Sequence, residues 1–163
     1  MPETPVQCAL RESVGEVLEK MFFVEPLDEP PVAADPPDGE IAVKLSFEGS
    51  PSGVLTLSVS PDAARQVAAD FLGEEPSDLA AGRIGEVVCE LANMICGSVL
   101  SRVESSSTFR LAAPSLLMAE EWRRRPETAD CRAVHSVAIG DGILTATLET
   151  RDPVCTSAEK SVF

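Results

Sequence analysis

The chain has 163 residues, of which 44% are hydrophobic, and a formal net charge of −14 at pH 7. A chain of this length buries a core without disulfides or structural metals, and we expect one domain over residues 1–150 followed by a flexible tail at 151–163. Such an acidic surface repels nucleic acid and anionic membranes, so neither is expected as a partner. A protein partner or a small ligand remains.

Targeting and cysteine patterns indicate a cytoplasmic protein. The N-terminal segment lacks the basic region and apolar run of a signal peptide, and no apolar run approaches the roughly 20 residues that span a bilayer. The five cysteines include no Cys-x-x-Cys pair, which favours reduced thiols over a disulfide framework or a zinc site. We therefore expect this chain to bind no metal and no cofactor.

The first part of the chain predicts a helix and then two strands. Residues 4–7, TPVQ, fit a capping box with proline at the first helical position, and apolar residues recur at helical spacing to about Phe23. Residues 25–39 hold five prolines and predict an extended linker. Residues 41–47 alternate apolar and polar side chains, and residues 54–59 are expected to form the antiparallel partner strand.

The second part predicts two helices and then three strands. Pro61 begins a helix that Gly73 ends, and Ser77 is expected to cap a longer helix that runs to about Val103. The predicted strands are 109–117, 132–139 and 143–150, the last two joined by a tight glycine turn.

This order of elements predicts an α+β fold in which an antiparallel sheet packs against long helices. The tripeptide Gly-Glu-Val occurs at 15–17 and again at 85–87, each time in a helix that leads toward a strand pair. The repetition favours two related helix-strand-strand halves.

The long second-half helix carries poor helix formers on its exposed face. At about 100° per residue, apolar residues from Ile84 to Val99 fall on a sheet-facing arc, and the opposite arc holds Glu86, Glu90, Asn93 and Gly97. Gly in an exposed helix costs about 1 kcal/mol relative to Ala, and Asn several tenths. The plain interpretation is a solvated helix face; the alternative is a surface that another backbone approaches closely.

The stretch ELANMICG, residues 90–97, resembles the motif of the CheC/CheX/FliY family of chemotaxis phosphatases, whose helix carries a Glu, an Asn three residues later and a Gly further on. Leu91, Met94 and Ile95 are similar to the CheX branch, and the resemblance covers roughly residues 6–150. It implies a CheX-like fold and a protein phosphatase that hydrolyses the aspartyl phosphate of a CheY-like response-regulator receiver.

The resemblance also implies roles for individual residues. Glu90 and Asn93 match the catalytic pair, and Glu86 and Gly97 are expected to contact the partner. This chain has Glu86 where the family usually has Asp or Ser. The receiver would supply Mg²⁺, and relatives of the CheX branch form homodimers through edge strands, so a homodimer is expected.

A second site in the first half is not expected. Aligning the two Gly-Glu-Val segments places Lys20 and Phe23 opposite Glu90 and Asn93. The main alternative function is a non-catalytic module of the same fold, related to flagellar switch components, that binds a receiver or another partner.

Other motifs carry weaker hypotheses. Cys96 and Arg102 have the Cys-x5-Arg spacing of tyrosine phosphatases, but those enzymes need a phosphate-binding loop where this sequence predicts a helix. We expect Cys96 to be a packing residue and His135 a structural one. The basic cluster at 122–125, WRRR, is expected to be a solvated connection between strands.

Overall fold

The computed structural model describes residues 4–22, 41–49, 52–103, 109–117, 131–139 and 142–151. Its helices are α1 (Pro5–Met21), α2 (Pro61–Leu72) and α3 (Ala81–Val103). Its strands are β1 (Ile41–Glu48), β2 (Gly53–Val59), β3 (Arg110–Leu111), β4 (Ser115–Leu117), β5 (Cys131–Ile139) and β6 (Gly142–Thr150). The α+β class expected from the sequence is confirmed; the expected linker at 25–39 and most of the expected tail lie outside the described residues.

The strands form one antiparallel sheet in the order β3-β1-β2-β6-β5, and β4 also pairs with β1. The predicted antiparallel pairs β1–β2 and β5–β6 both form, with Leu45 opposite Leu55 and Ala133 opposite Leu148. These two hairpins join through β2 and β6. The described sheet therefore has β5 at one edge and the short strands β3 and β4 at the other.

The core lies between the helices and one face of this sheet. On β1, Val43, Leu45 and Phe47 are buried, whereas the alternating residues Lys44 and Ser46 are exposed. These side chains form one continuous cluster with the apolar faces of all three helices. The alternation predicted from the sequence thus selects the face on which the helices pack.

Helix α3 is the central helix of this core. Its predicted apolar stripe is buried, except that Met94 is partly buried. Contrary to expectation, Gly82–Val103 is long and apolar enough, by length and composition, to cross a membrane. More than half of its most apolar window is buried inside the fold. The apolar character of α3 is thus explained by packing within the protein.

The start of α3 differs from the prediction. Ser77 lies in a short 3₁₀ turn, Pro76–Asp78, and the helix begins only at Ala81. Between them Leu79 has an extended backbone (φ −81°, ψ 129°) and packs partly buried against the core. Burying Leu79 requires the chain to leave the helical path, so Ser77 cannot cap α3.

The predicted strand at 109–117 is divided into β3 and β4. The residues between them, 112–114, include Pro114, which has no N–H to donate to a ladder. Ala112 still donates its N–H to the carbonyl of Ser46 at 2.9 Å, so both pieces stay beside β1. An interrupted strand of this kind is typical of a sheet edge.

One of the two hydrogen bonds of the capping box predicted for α1 is confirmed. Thr4 Oγ1 accepts the N–H of Gln7 at 3.1 Å, as a capping box requires. The Gln7 side chain instead reaches β5, where it donates to the Val134 carbonyl at 2.7 Å and accepts the Val134 N–H at 3.2 Å. Gln7 therefore ties α1 to the outer edge of the sheet.

Candidate functional site

The exposed face of α3 brings the residues predicted for the site into one row. Glu86 and Glu90 are exposed, and Asn93 and Gly97 are half-buried. Their spacings of three and four residues place neighbouring side chains one above the other, and the row from Glu86 to Gly97 is about 16 Å long at 1.5 Å per residue. A single rigid helix thus fixes their mutual positions.

The polar side chains of this row have no competing partners within the described residues. Glu86, Glu90 and Asn93 make no side-chain hydrogen bond or ion pair there. Elsewhere on the helices similar groups are engaged: Lys20 pairs with Glu16 at 3.9 Å, and Gln66 donates to Asp70 at 3.0 Å. None of the described residues therefore competes with another molecule for this row on α3.

Gly97 leaves open space on this face. A Cβ built at Gly97 would meet no heavy atom within 4 Å, whereas one at Gly85 would lie 3.4 Å from Cδ1 of Leu116. A Cβ at Gly85 would therefore make an ordinary van der Waals contact with β4, whereas no described side chain packs against this side of Gly97. The missing side chain at Gly97 lets a second backbone come close to the helix.

Contacts with α1 hold α3 on its other side. Ser98 donates to Oγ of the fully buried Ser13 at 3.0 Å. Arg102 forms ion pairs with Glu12, at 3.2 Å, and with Glu16. These links lie away from the exposed row, so they fix the helix without occupying the site.

A groove runs along α3 beside Glu90 and Asn93. Its volume is about 270 Å³, and its lining residues are Gly82, Gly85, Glu86, Cys89, Glu90, Asn93, Pro114 and Leu116. Burial, and to a smaller extent the Glu86 carboxylate, raise the pKa of the Cys89 thiol in this groove. No local sequence pattern indicates this groove, because Pro114 and Leu116 reach α3 only through the pairing of β4 with β1.

The tyrosine-phosphatase hypothesis is wrong. Cys96 is fully buried within α3, and burial raises the pKa of its thiol to about 12. A thiol in this state is neither ionised nor accessible near neutral pH, and Arg102 at the end of the motif is paired with α1. Cys96 is a packing residue, as expected.

Of the remaining candidates, the structure describes only His135. His135 is half-buried on β5, opposite Ala146. The basic cluster at 122–125 and Phe23 lie outside the described residues. In the part of the chain that the structure describes, no group of three or more His, Cys, Asp or Glu side chains is placed to hold a metal ion.

Comparisons with known proteins identify the family and the fold. The family model of the chemotaxis phosphatase CheX matches residues 41–137, more than half of the chain. No match was found among curated protein sequences.

Solved structures agree with this fold. CheX of Vibrio vulnificus has a TM-score of 0.71 at 18% identity, with 91% of this chain and 99% of that chain covered. A CheX-CheY-BeF3-Mg²⁺ complex from Borrelia burgdorferi has a TM-score of 0.69 at 19% identity, with coverages of 88% and 96%. FliY of Thermotoga maritima has a TM-score of 0.61 at 15% identity, with coverages of 94% and 90%.

Proposed function

This chain belongs to the CheX family of chemotaxis phosphatases, and we propose that it hydrolyses the aspartyl phosphate of a CheY-like receiver. The observation that carries the proposal is the row on α3, where Glu90 and Asn93 are neighbours without partners among the described residues. Gly97 adds room for a close approach by a second protein. The receiver belongs to chemotaxis or to related two-component signalling in the cytoplasm.

The chemistry asks little of the phosphatase. An acyl phosphate is already reactive, and its loose transition state needs an in-line water and stabilisation of charge. The phosphoaspartate and Mg²⁺ belong to the receiver, in line with the relative that was solved together with CheY, BeF3 and Mg²⁺. This chain has to contribute a group that positions the water.

Asn93 is the group suited to that task. Its amide both donates and accepts hydrogen bonds, so it orients a water without exchanging a proton. It is also neutral, and a neutral side chain enters the phosphate site without electrostatic repulsion. Its half-buried position on α3 limits the directions in which the amide can point.

Glu90 is suited to docking. A carboxylate is repelled by phosphate but attracted to a lysine of the receiver, with which it forms a charge-assisted hydrogen bond. Glu90 lies one turn from Asn93, so an ion pair there orients the amide toward the phosphate. Glu86, one turn further, adds negative charge for the same basic surface, and Gly97 admits the receiver backbone.

The second candidate is a receiver-binding module without catalysis. Glu86 favours this alternative, because the family usually has Asp or Ser at that position. Both candidates predict binding to a receiver, and they differ in whether bound phosphate is lost faster.

The deciding experiment measures decay of the phosphoreceiver. Receivers encoded near this gene are phosphorylated with a small phosphodonor in Mg²⁺, and phosphate loss is followed with catalytic amounts of this chain. We expect decay to accelerate with wild type and with Cys96→Ser, and to return toward the intrinsic rate with Asn93→Ala. Binding without acceleration for every receiver would favour the non-catalytic module.

A further inference from the structure

We propose that the groove beside Glu90 and Asn93 binds an apolar side chain that the receiver carries next to a lysine or arginine. This inference rests on the proposed function, because it names the partner surface that the same helix recognises. This α3 groove is lined by residues of α3 from Gly82 to Asn93 and, on the other side, by Pro114 and Leu116.

The two walls of the α3 groove differ in chemistry. The β4 wall is apolar: Leu116 is 57% exposed, and Pro114 lies two residues before it. The helix wall opposite has no side chain at Gly82, where a Cβ would meet no heavy atom within 4 Å. A large exposed leucine near two glycines, Gly82 and Gly85, leaves apolar surface that a partner side chain can cover.

The shape of the groove suits a protein side chain. Its volume is about 270 Å³, near the lower end of the range of roughly 300–1,000 Å³ for pockets that enclose small molecules. It is also open along the helix. One apolar side chain, with part of its neighbour, suits such a space.

Charge at the rim specifies the neighbour. Glu86 and Glu90 both line the groove, and neither has an ion-pair partner in the described ranges. The chain as a whole has a net charge of −14. A basic residue beside the apolar one therefore meets two carboxylates, whereas an acidic neighbour is repelled.

The groove extends from Asn93, so the receiver is the protein that we expect to supply this side chain. Specific protein interfaces bury about 800 Å² on each partner, far more than Glu90 and Asn93 expose, so the contact with the receiver must extend beyond the pair. The α3 groove begins at Asn93 and follows the helix for about 16 Å to Gly82. A receiver with its phosphoaspartate at Asn93 therefore has this groove directly beside it.

Two variants change the groove without touching the proposed water-positioning amide. Leu116→Ala removes the apolar wall, and Gly82→Met fills the opposite side. We expect each to raise KM for the phosphoreceiver at least tenfold and to leave the decay rate at saturation within about twofold of wild type. The matched controls are Val134→Ala, which removes an exposed apolar side chain from β5, and Gly15→Met on α1. Both controls should retain the wild-type KM.

Cys89 supplies a readout that needs no catalysis. It lines the groove and is half-buried, and Cys8 on α1 is half-buried outside it. Alkylation by N-ethylmaleimide at mildly alkaline pH is followed for each cysteine by peptide mass spectrometry. Receiver carrying beryllofluoride and Mg²⁺ should slow labelling of Cys89 at least fivefold and leave the labelling of Cys8 unchanged.

The outcomes separate the groove from the proposed function. Accelerated decay with wild-type KM in both groove variants, and no protection of Cys89, overturns the groove while the phosphatase stands. Protection of Cys89 together with no accelerated phosphate loss from any of the receivers tested supports the groove and contradicts the phosphatase. If labelling of Cys89 slows as the protein concentration rises without receiver, and added receiver gives no further protection, a second copy and not the receiver covers the groove, and this also overturns the proposal.

Discussion

Asn93 and Glu90 are adjacent on α3 but differ in charge. We therefore expect Asn93 to act on the rate of hydrolysis and Glu90 on binding of the receiver. Asn93→Ala removes the amide proposed to position the water, and misplacing a reacting group costs about 10²-fold in rate. We expect a loss of about that size in single-turnover decay at saturating phosphatase, where affinity no longer matters. A rate equal to that of wild type would show that Asn93 does not position the water.

Glu90→Ala should act mainly on docking. Loss of one partner from a buried ion pair costs about 2–5 kcal/mol of binding free energy, so the dissociation constant for a beryllofluoride-loaded receiver should rise by at least tenfold. Titration calorimetry measures this constant. The control is Glu19→Ala, which removes an exposed carboxylate from α1. Equal weakening by both variants would mean that only overall charge, not the position of Glu90, attracts the receiver.

The central residues of the site were predictable, but its surroundings were not. Glu90, Asn93 and Gly97 lie within one helical segment, so spacing and helix propensity place them on one face. Leu116 and Glu90 are brought together by the pairing of β4 with β1, a long-range contact that no local pattern encodes. Whether Glu86 has an ion-pair partner likewise depends on which side chains from distant parts of the sequence lie beside it.

At the scale of the element, Gly97 lowers the stability of α3 and leaves an open surface on the helix. Gly97→Ala adds a Cβ that meets no heavy atom within 4 Å, and Ala is favoured over Gly in a helix by about 0.5–1 kcal/mol. We expect the free energy of unfolding to rise by that amount in denaturant titrations and receiver-phosphate decay to slow. Gly15→Ala, equally free of contacts on α1, should stabilise the protein similarly and retain full activity. Full activity in Gly97→Ala would contradict a close approach at this position.

Gln7 stabilises the contact between α1 and β5 through two hydrogen bonds to Val134. Gln7→Ala removes both bonds, and at about 1 kcal/mol each it should lower the free energy of unfolding by about 1–2 kcal/mol. The matched control is Gln66→Ala on α2, where the side chain bonds only Asp70 on the same helix. Such a pair is worth about 0.2–0.5 kcal/mol. Equal losses in the two variants would mean that the bonds to β5 add nothing beyond local helix stability.

For the molecule as a whole, local periodicity predicted the order of helices and strands, because each apolar face must meet the same core. The differences arose where tertiary packing prevailed over a local signal. Leu79 is partly buried and delays the start of α3, and Pro114 divides the edge strand. Gln7 has a capping position in the sequence, yet its side chain bonds a strand more than a hundred residues away.

The two edges of the described sheet are not equivalent, and this difference directs the homodimer that we propose. At the β5 edge Gln7 already occupies both backbone groups of Val134, so pairing with another strand would have to break those bonds. We therefore place the dimer at the edge formed by β3 and β4 and expect light scattering to give twice the 17.3 kDa of one chain.

Each protomer carries a net charge of −14, so added salt should screen the repulsion between protomers and tighten the dimer. Ser115→Glu on β4 should weaken it by placing further negative charge at the shared edge, whereas Gln7→Ala should leave the mass unchanged. A monomer at every salt and protein concentration would contradict the dimer. A dimer that becomes tighter in Gln7→Ala would place it at β5, because that change frees the backbone groups of Val134.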